Sequence, residues 1–426
     1  MISILILAIT FNCVILLNGA SKSDKSVKFL ISILSIYWLL SFVLRPLIFL
    51  ISKSLNIATS SYDSRLAANP QLVMHALLQC FIGTLVFLGT FFYISRLKYK
   101  NPMRDDITVS TKTDFLMLNF GLIAGLVSLT IEYSDLRNPI TKSLAASSSV
   151  FFYVLLWKRD FYGVSNAGKI CSYSLGILDV LATSIFLQNS KGVILFPILI
   201  FAYRNWQFLY IKLSTLAKLR LVLIGILGVG FFNFLQLRKL GEVAFSQSTK
   251  YGDSLPWNLN YLLPISERFD SFARIVDANM AGVGVLGNSL DWFKYVVSAL
   301  FWNPGSGRLE MGFGQLWNSE VTNLSIHDSY KSAVSLAPGI IAEGYIWSGY
   351  SSLIVECLLM ALVFRVLSKG MERGILSCVL ALGTIGNGTL FEAGIVSVSY
   401  KFTEAIKISM FTALLQLILN KRSKKF

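Results

Sequence analysis

Long apolar stretches separated by short charged turns run through most of this chain. A run of about 18 or more apolar residues is long enough to cross a bilayer as a helix. Of the 426 residues, 54% are hydrophobic and only 14% are charged, and the mean hydropathy is +0.63. Since soluble domains carry nearer a quarter charged residues, the pattern and the composition predict an all-α, polytopic integral membrane protein.

We predict about eleven transmembrane helices from these runs. They cover residues 2–18, 27–52, 71–95, 114–131, 143–157, 169–188, 191–211, 219–237, 337–366, 373–390 and 402–420. One gap between them, residues 238–336, is far longer than the others. The predicted organisation is therefore helices 1–8 within 1–237, a large loop over 238–336, and helices 9–11 with a short basic tail within 337–426.

The positions of the basic residues predict the orientation of the chain. With the N-terminus outside, alternate turns on the cytoplasmic side hold 22 of the 38 Lys and Arg residues. The short outer turns hold six: Lys53, Arg65, Arg137, Lys142, Lys191 and Lys401. This asymmetry follows the positive-inside rule, and it places the large loop outside and the C-terminus inside. The net charge of +15 is explained by topology, so no nucleic-acid partner is expected.

The chemistry-bearing residues give little support to a metal or disulfide site. The five cysteines all lie within predicted spans, and the large loop has none. The loop also lacks an Asp-x-Asp pair. We therefore expect no disulfide framework, no bound metal and no cofactor.

The large loop contains two predicted helices. Over 266–280, an apolar face carries Phe272, Ile275 and Val276, with Arg274 opposite and Arg268 at its edge. Arg268 is expected either to bind an anionic substrate group or to pair with Glu267 or Asp270, and the ion pair is the simpler expectation for Arg274. The second helix covers 288–302, and its Trp292, Tyr295 and Trp302 could anchor at the membrane interface or stack on sugars.

Two further loop residues are candidates for a site. Arg308 lies in a glycine-containing turn, from which it could reach a ligand or remain a solvated charge. His327, in His-Asp-Ser-Tyr, precedes the ninth predicted span. An imidazole suits a general base near neutral pH, although an exposed histidine without a role is the alternative. The other histidine, His75, is expected to be a packed residue of the third span.

Ionisable residues inside spans are costly and usually face a cavity or a partner. Arg45 in the second span, Lys191 at the start of the seventh and Glu343 in the ninth all fall at the predicted outer depth. Two or three cations there would suit a lipid-linked diphosphate, while pairing of Arg45 with Glu343 is the structural alternative. Lys401, Glu404 and Lys407 are expected to form an intrahelical ion pair.

Several of these segments resemble one family. Ser190-Lys191-Gly192 before an apolar run, the long outer loop and Pro338-Gly339-Ile-Ile-Ala-Glu343-Gly-Tyr345 are similar to segments of the bacterial Wzy-type oligosaccharide repeat-unit (O-antigen) polymerases. The segment around His327 also resembles the one that precedes the matching span in O-antigen ligases.

The resemblance implies a GT-C-like membrane glycosyltransferase of the bacterial inner membrane, with a periplasmic N-terminus and a cytoplasmic C-terminus. Its substrates would be undecaprenyl-diphosphate-linked oligosaccharides in membrane lipid, and a chain-length regulator protein would be a partner. The resemblance assigns a role most directly to Lys191, Pro338, Gly339 and Glu343. It assigns one less directly to Arg268 and least directly to His327. We assign diphosphate binding to Arg268, Lys191, Arg45 and Arg308, and catalysis to His327 or Glu343.

Two other functions remain open from the sequence. An O-antigen ligase would share the layout and transfer a finished glycan to the lipid A core. A flippase or other transporter of lipid-linked glycan would more often show two similar halves and charges at the membrane midplane.

Overall fold

The computed structural model describes most of the predicted spans and part of the large loop. The described residues are 1–21, 23–47, 50, 70–96, 111–133, 139–186, 191–211, 271–300, 316–317, 320, 339–386 and 389–423. Every regular element of at least three residues within these ranges is a helix. The predicted eighth span, 219–237, lies outside the described residues.

The helices follow the predicted apolar runs closely over the first half of the chain. They are α1 Ile2–Ser21, α2 Lys25–Trp38 with a π-helical end Leu39–Leu44, α3 Pro70–Arg96, α4 Lys112–Tyr133, α5 Pro139–Ser147, α6 Ser149–Lys158, α7 Asn166–Phe186 and α8 Lys191–Ile211. The second half contains α9 Ser271–Ala281, α10 Ser289–Leu300, α11 Gly339–Ser348, α12 Tyr350–Glu372, α13 Ile375–Ile385, a 3₁₀ turn Thr389–Phe391 and α14 Ile395–Ser423.

Six of the helices in the described ranges are long and apolar enough to cross a membrane. The qualifying stretches are Ile2–Ala20, Lys25–Leu47, Pro70–Ser95, Lys112–Glu132, Tyr350–Glu372 and Ile395–Leu419. The prediction of an α-helical membrane protein is confirmed at this level.

Besides 337–366, three predicted spans differ from the helices that form. The run 143–157 is divided at Ser148 between α5 and α6. The run 373–390 forms the short helix α13, which stops at Gly386 because that residue takes a φ of 57°, a conformation that favours glycine. The last helix begins at Ile395 rather than near 402, since the apolar residues Ile395, Val396 and Val398 are already helical and buried.

The chain divides into two compact units. The first contains Met1–Tyr99, Gln236–Val366 and Phe391–Tyr400, and the second contains Lys100–Leu235, Leu367–Leu390 and Lys401–Phe426. In the first unit, α1 packs on α2 and α3, and Asn12 donates a hydrogen bond to Thr84 at 3.1 Å. The aromatic rings of Trp38 and Phe364 both meet Phe87 edge-on, with centroid distances of 5.1 and 5.5 Å.

In the second unit, small residues allow α4 and α7 to approach α6 closely. A Cβ at Gly121 would lie 2.7 Å from the ring of Phe151, and a Cβ at Gly176 would overlap the ring of Phe152. The same unit buries Asp179, whose Oδ1 accepts a hydrogen bond from Ser148 Oγ at 2.9 Å. The aromatic rings of α6 thus pack directly against glycines of α4 and α7.

Both predicted loop helices are present in the described residues. In α9, Phe272, Ile275 and Val276 are at most 1% exposed, so the predicted apolar face is confirmed. The helix packs on α3 and α11, which joins the large loop to the membrane helices of the first unit. The guanidinium of Arg274 pairs with Asp277, 3.4 Å away on the same helix, and the predicted partners Glu267 and Asp270 lie outside the described residues.

Candidate functional site

The span predicted over 337–366 is not one continuous helix. It breaks at Gly349, whose φ of +69° lies in the left-handed region that favours glycine. Ser352 Oγ accepts a hydrogen bond from the N–H of Ser348 at 2.9 Å and so satisfies a donor at this turn. Gly344 brings α11 close to α12, because a Cβ there would lie 2.9 Å from the Cα of Leu353. The break brings together two carboxyls that a continuous helix would hold apart.

Those carboxyls belong to Glu343 on α11 and Glu356 on α12. Glu343 Oε1 accepts a hydrogen bond from the N–H of Val396 at 2.7 Å, and Glu356 Oε1 accepts one from the N–H of Ile395 at 2.5 Å. Both donors belong to the first turn of α14, where backbone N–H groups have no partner within the helix. The two carboxyls, the carboxyl pair from here on, therefore cap the last helix.

The carboxyl pair is fully buried and closely spaced. Glu343 and Glu356 are both 0% exposed. The position that a Cβ would take at Gly394 lies 2.5 Å from Glu343 Oε2 and 2.6 Å from Glu356 Oε1. These two oxygens are thus separated by at most the sum of those distances, about 5 Å. Only a residue without a side chain fits at position 394.

The second oxygen of each carboxyl has a different environment. Within the described residues, Glu343 Oε2 and Glu356 Oε2 are buried and form no hydrogen bond. The indole N–H of Trp292, on α10, is directed at the Glu356 carboxyl without the geometry of a full hydrogen bond. Burying a carboxylate oxygen without a donor or cation is unfavourable, so these oxygens are the chemically unsatisfied part of the site.

Hydroxyl and amide groups next to the carboxyl pair join the loop helix α9 to the membrane helices. The hydroxyls of Tyr37 and Ser271 form a short hydrogen bond between α2 and α9. Gln79 on α3 and Asn279 on α9 form a reciprocal amide pair with N–O distances of 2.7 and 3.0 Å. Both bonds are part of how the outer segment is held against the bundle.

A small cavity lies at the N-terminal ends of α9 and α11. Tyr37, Ser271 and the first turn of α11, Gly339–Ala342, line it together with apolar residues of α2. Its volume of about 10 Å³ is roughly the room that one water molecule needs. The cavity is therefore a mostly apolar recess of about the size of a water molecule, with the hydroxyls of Tyr37 and Ser271 in its wall.

Helix α10 borders the site and carries an ion pair at its first turn. Lys294 Nζ lies 2.9 Å from Asp291 Oδ1, and the hydrogen bond from Lys294 holds the pKa of that carboxyl below its usual range, with help from a backbone N–H at Asn288. The ring of Tyr295 lies 5.5 Å from that of Trp347, and burial raises the pKa of the Tyr295 hydroxyl. These contacts leave the Tyr295 side chain half-buried.

Of the six predicted site residues, the structure describes the side chains of Arg45 and Glu343. Arg45 follows the π-helical end of α2, where Pro46 lacks the N–H that a regular helix needs, and its side chain is buried. The structure gives Lys191 a backbone position as the first residue of α8. Arg268, Arg308 and His327 lie outside the described residues.

The pairing of Arg45 with Glu343 does not form. Within the described residues, Glu343 binds the backbone of α14, and no ion pair joins it to Arg45. The intrahelical pair predicted on the last helix is confirmed for Lys407 and Glu404, whose charged atoms are 2.6 Å apart. Thus the ion pair predicted on the last helix is present, and the alternative pairing of Glu343 with Arg45 is replaced by capping of α14.

Sequence reasoning missed Glu356, the partner of Glu343. The available signal was its position as an ionisable residue inside an apolar run, which marks a candidate site in a membrane protein. The 13-residue separation hid the contact, because on one straight helix the two carboxyls would be about 20 Å apart. Sequence reasoning also missed Asp179, which is likewise an ionisable residue inside a predicted span.

The two oxygens of the carboxyl pair without a hydrogen bond can accept one from a donor or can contact a cation. The pair also connects three helices, α11, α12 and α14, at one point. No cluster of three or more His, Cys, Asp or Glu side chains suited to a metal ion occurs among the described residues. The chain matches no protein-family model, no curated protein and no solved structure.

Proposed function

We propose that this protein is a membrane glycosyltransferase that polymerises undecaprenyl-diphosphate-linked oligosaccharide repeat units at the periplasmic face of the bacterial inner membrane. The proposal includes a GT-C-like arrangement and the resemblance to O-antigen polymerases drawn from Lys191, Pro338, Gly339 and Glu343. The growing glycan is the donor, a single lipid-linked repeat unit is the acceptor, and the lipid diphosphate is the leaving group.

One observation carries the proposal. Helix α9, from the long segment that the charge pattern places outside, packs directly on the membrane helix α3 and beside the Gly339–Glu343 motif. Gly339 of the motif takes a φ of +82°, in the left-handed region that favours glycine, and the position of a Cβ there lies 3.5 Å from Ser271 Oγ, an ordinary contact distance. A transferase acting on a lipid-linked substrate needs such a junction, because its substrate has one end in the bilayer and the other in water.

The proposed roles follow from charge. Arg268, Lys191, Arg45 and Arg308 stabilise the negative charge that develops on the departing diphosphate. His327 accepts the proton of the acceptor hydroxyl as it attacks the anomeric carbon. Glu343 is the second candidate for the base, although its full burial and its bond to Val396 suit a positioning role better.

The test is complementation of a strain from which the gene is deleted, read from its surface glycan by gel electrophoresis. A polymerase predicts single capped repeat units in the deletion strain and long chains after complementation. Arg268→Ala should leave single repeats, whereas Arg274→Ala, in which the lost charge is paired with Asp277, should restore long chains. Complete loss of surface glycan in the deletion strain would identify a ligase instead.

A substitution at His327 tests the base. General-base catalysis contributes about 10²–10⁴-fold in rate, so His327→Ala should lower the polymerisation rate of the purified protein by at least about a hundredfold. Less than about a tenfold loss would contradict this role.

A transporter of lipid-linked glycan driven by protons is the second candidate. The break at Gly349 and the carboxyl pair favour it, because interrupted helices and buried carboxyls occur where transporters bind ions. Reconstituted vesicles with an imposed pH gradient would distinguish the two. Proton-driven movement of lipid-linked glycan without new glycosidic bonds would replace the polymerase proposal.

A further inference from the structure

A proton-binding site follows from the geometry of the carboxyl pair, independently of the proposed function. The pair combines full burial with incomplete hydrogen bonding, and charged carboxyls are rarely stable with both features. Both residues are fully buried, and each carboxyl keeps one oxygen without a hydrogen bond within the described residues. Two carboxylates within about 5 Å of each other would place two negative charges in a region from which water is excluded.

Within the described residues, the groups that contact the carboxyl pair supply little positive charge to offset these two negative charges. Two backbone N–H groups of α14 bind one oxygen of each carboxyl, and the partial charge of a helix N-terminus is only about half a unit. Among the described residues, the titratable groups on the two helices that carry the pair are Tyr345 on α11 and Tyr350, Cys357, Arg365, Lys369 and Glu372 on α12. The first turns of α14 carry Tyr400, Lys401 and the ion pair Lys407–Glu404, and Glu392 lies just before them. Tyr295 and the ion pair Lys294–Asp291 lie on α10, the ion pair Arg274–Asp277 lies on α9, and His75 on α3 is exposed rather than packed as predicted. The two cations of those ion pairs are each engaged by their own aspartate.

The space at Gly394 favours the smallest cation. A Cβ there would overlap the carboxyl carbon of Glu343, so the atoms around the pair are already in contact. A sodium ion needs room and several oxygen ligands, whereas a proton needs only two oxygens that approach each other. We propose that Glu343 and Glu356 bind one proton between them, and that this proton keeps the start of α14 fastened to the α11–α12 turn.

The proton has a structural consequence in this arrangement. When the pair holds it, one carboxyl can donate to the other while both accept from α14. When it leaves, two like charges face each other across Gly394, and their repulsion pulls the carboxyls away from the N–H groups of Ile395 and Val396 that they cap. The beginning of the last helix is then the element that moves.

Infrared spectroscopy of the full-length protein in lipid nanodiscs tests the proposal directly, because the C=O stretch of a protonated carboxyl is separated from that of a carboxylate. We expect a protonated-carboxyl band at neutral pH in the wild type. Glu343→Gln and Glu356→Gln should each remove or shift the same band, and the double variant should lack it. Glu404→Gln, a control on α14 at a carboxyl paired with Lys407, should keep the band. Identical spectra for the wild type and the double variant would overturn the proposal.

A second measurement uses the wild type alone and does not depend on variants that fold. Raising the pH should remove the band and, after correction for the intrinsic exchange rate, speed hydrogen exchange at the amides of Ile395 and Val396. Exchange of these amides that does not change as the band disappears would overturn the fastening role. Replacing potassium by sodium should change neither signal. If sodium removes the band at constant pH, the site is a sodium site and the proton proposal fails.

Discussion

Gly394 shows at the level of one residue how tightly the carboxyl pair is enclosed. A side chain at this position would overlap Glu343 and would lie 2.6 Å from Glu356 Oε1. Overpacking of a close-packed interior typically destabilises a protein by about 1–3 kcal/mol. The glycine is therefore explained by the side chains that surround it.

We predict that Gly394→Ala lowers the free energy of unfolding by about 1–3 kcal/mol. Gly89→Ala is the matched control, because a Cβ at Gly89 meets no atom within 4 Å. That change should be neutral or slightly stabilising, since alanine favours helix over glycine by up to about 1 kcal/mol. Unfolding of both variants in mixed micelles at increasing SDS gives the comparison, and equal stabilities would contradict the enclosed site.

Asp291 predicts a pH dependence outside the membrane spans. Its pKa in the folded protein is lowered by the hydrogen bond from Lys294. A carboxyl whose folded pKa is depressed stabilises the fold above its unfolded pKa, and this contribution is lost as the pH falls through the folded pKa. Helix α10 should therefore loosen in acid, and only slightly, because the pair is on the surface.

Replacement of Lys294 by methionine tests this linkage. The pKa of Asp291 should rise towards its usual value, which can be followed by NMR of a protein labelled at the aspartate carboxyl carbons. Lys369→Met, a change on a different helix, is the control and should leave Asp291 unchanged. An Asp291 pKa that is the same with and without Lys294 would remove the proposed cause.

Among the helices, α9 depends on polar bonds as well as apolar burial. Its Asn279 exchanges two hydrogen bonds with Gln79, which is 0% exposed on α3. A buried amide left without a partner costs about 1–3 kcal/mol. The pair thus fixes the register of the loop helix on the membrane helix.

We predict that Asn279→Leu destabilises the protein by about 1–3 kcal/mol, because the Gln79 amide is left buried and unsatisfied. Gln79→Leu should have a similar effect, because the Asn279 amide then loses its partner. The double variant should lose less than the sum of the two changes, and a double-mutant cycle measures this coupling. Additive losses would show that the two amides do not act as a pair.

The helices also show which features of the sequence were informative. Uninterrupted apolar runs predicted α1, α3 and α4 to within a few residues, because a bilayer needs a helix of defined length. The break at Gly349 was not predicted, since one glycine inside an apolar run is compatible with a straight helix. Gly349 takes a left-handed φ of +69°, and its neighbour Val283, 3.7 Å from the position of a Cβ there, is remote in sequence.

The same limit applies to the candidate site. Glu343 was identified from its motif and its position in an apolar run, whereas its partner is defined only once the chain folds back at Gly349. The alternative in which Arg45 pairs with Glu343 does not form, because a charge pattern gives the depth of a residue in the membrane and not its direction around a helix. The backbone N–H groups of Ile395 and Val396 bind the two carboxyls in place of a cation such as Arg45. A contact of this kind to the backbone cannot be predicted from residue types.

For the whole molecule, the orientation in the membrane is the property on which the proposed function depends. The charge pattern places the turn between α6 and α7 in the cytoplasm, because Lys158, Arg159 and Lys169 surround it. The same pattern predicts that the segment 238–336 lies outside. Tyr162 in the first region and Val283 in the second are 81% and 50% exposed, so both positions suit a reporter cysteine.

We predict opposite labelling of these two positions by a membrane-impermeant maleimide. In a Cys171→Ser background, which removes an exposed native thiol, Val283→Cys should react in cells whose outer membrane has been permeabilised. Tyr162→Cys should react only after the inner membrane is lysed. The reverse pattern would place the large loop in the cytoplasm, where glycan polymerisation at the outer face is impossible. Arg268 and His327 can therefore act in the proposed reaction only if Val283→Cys is labelled from outside.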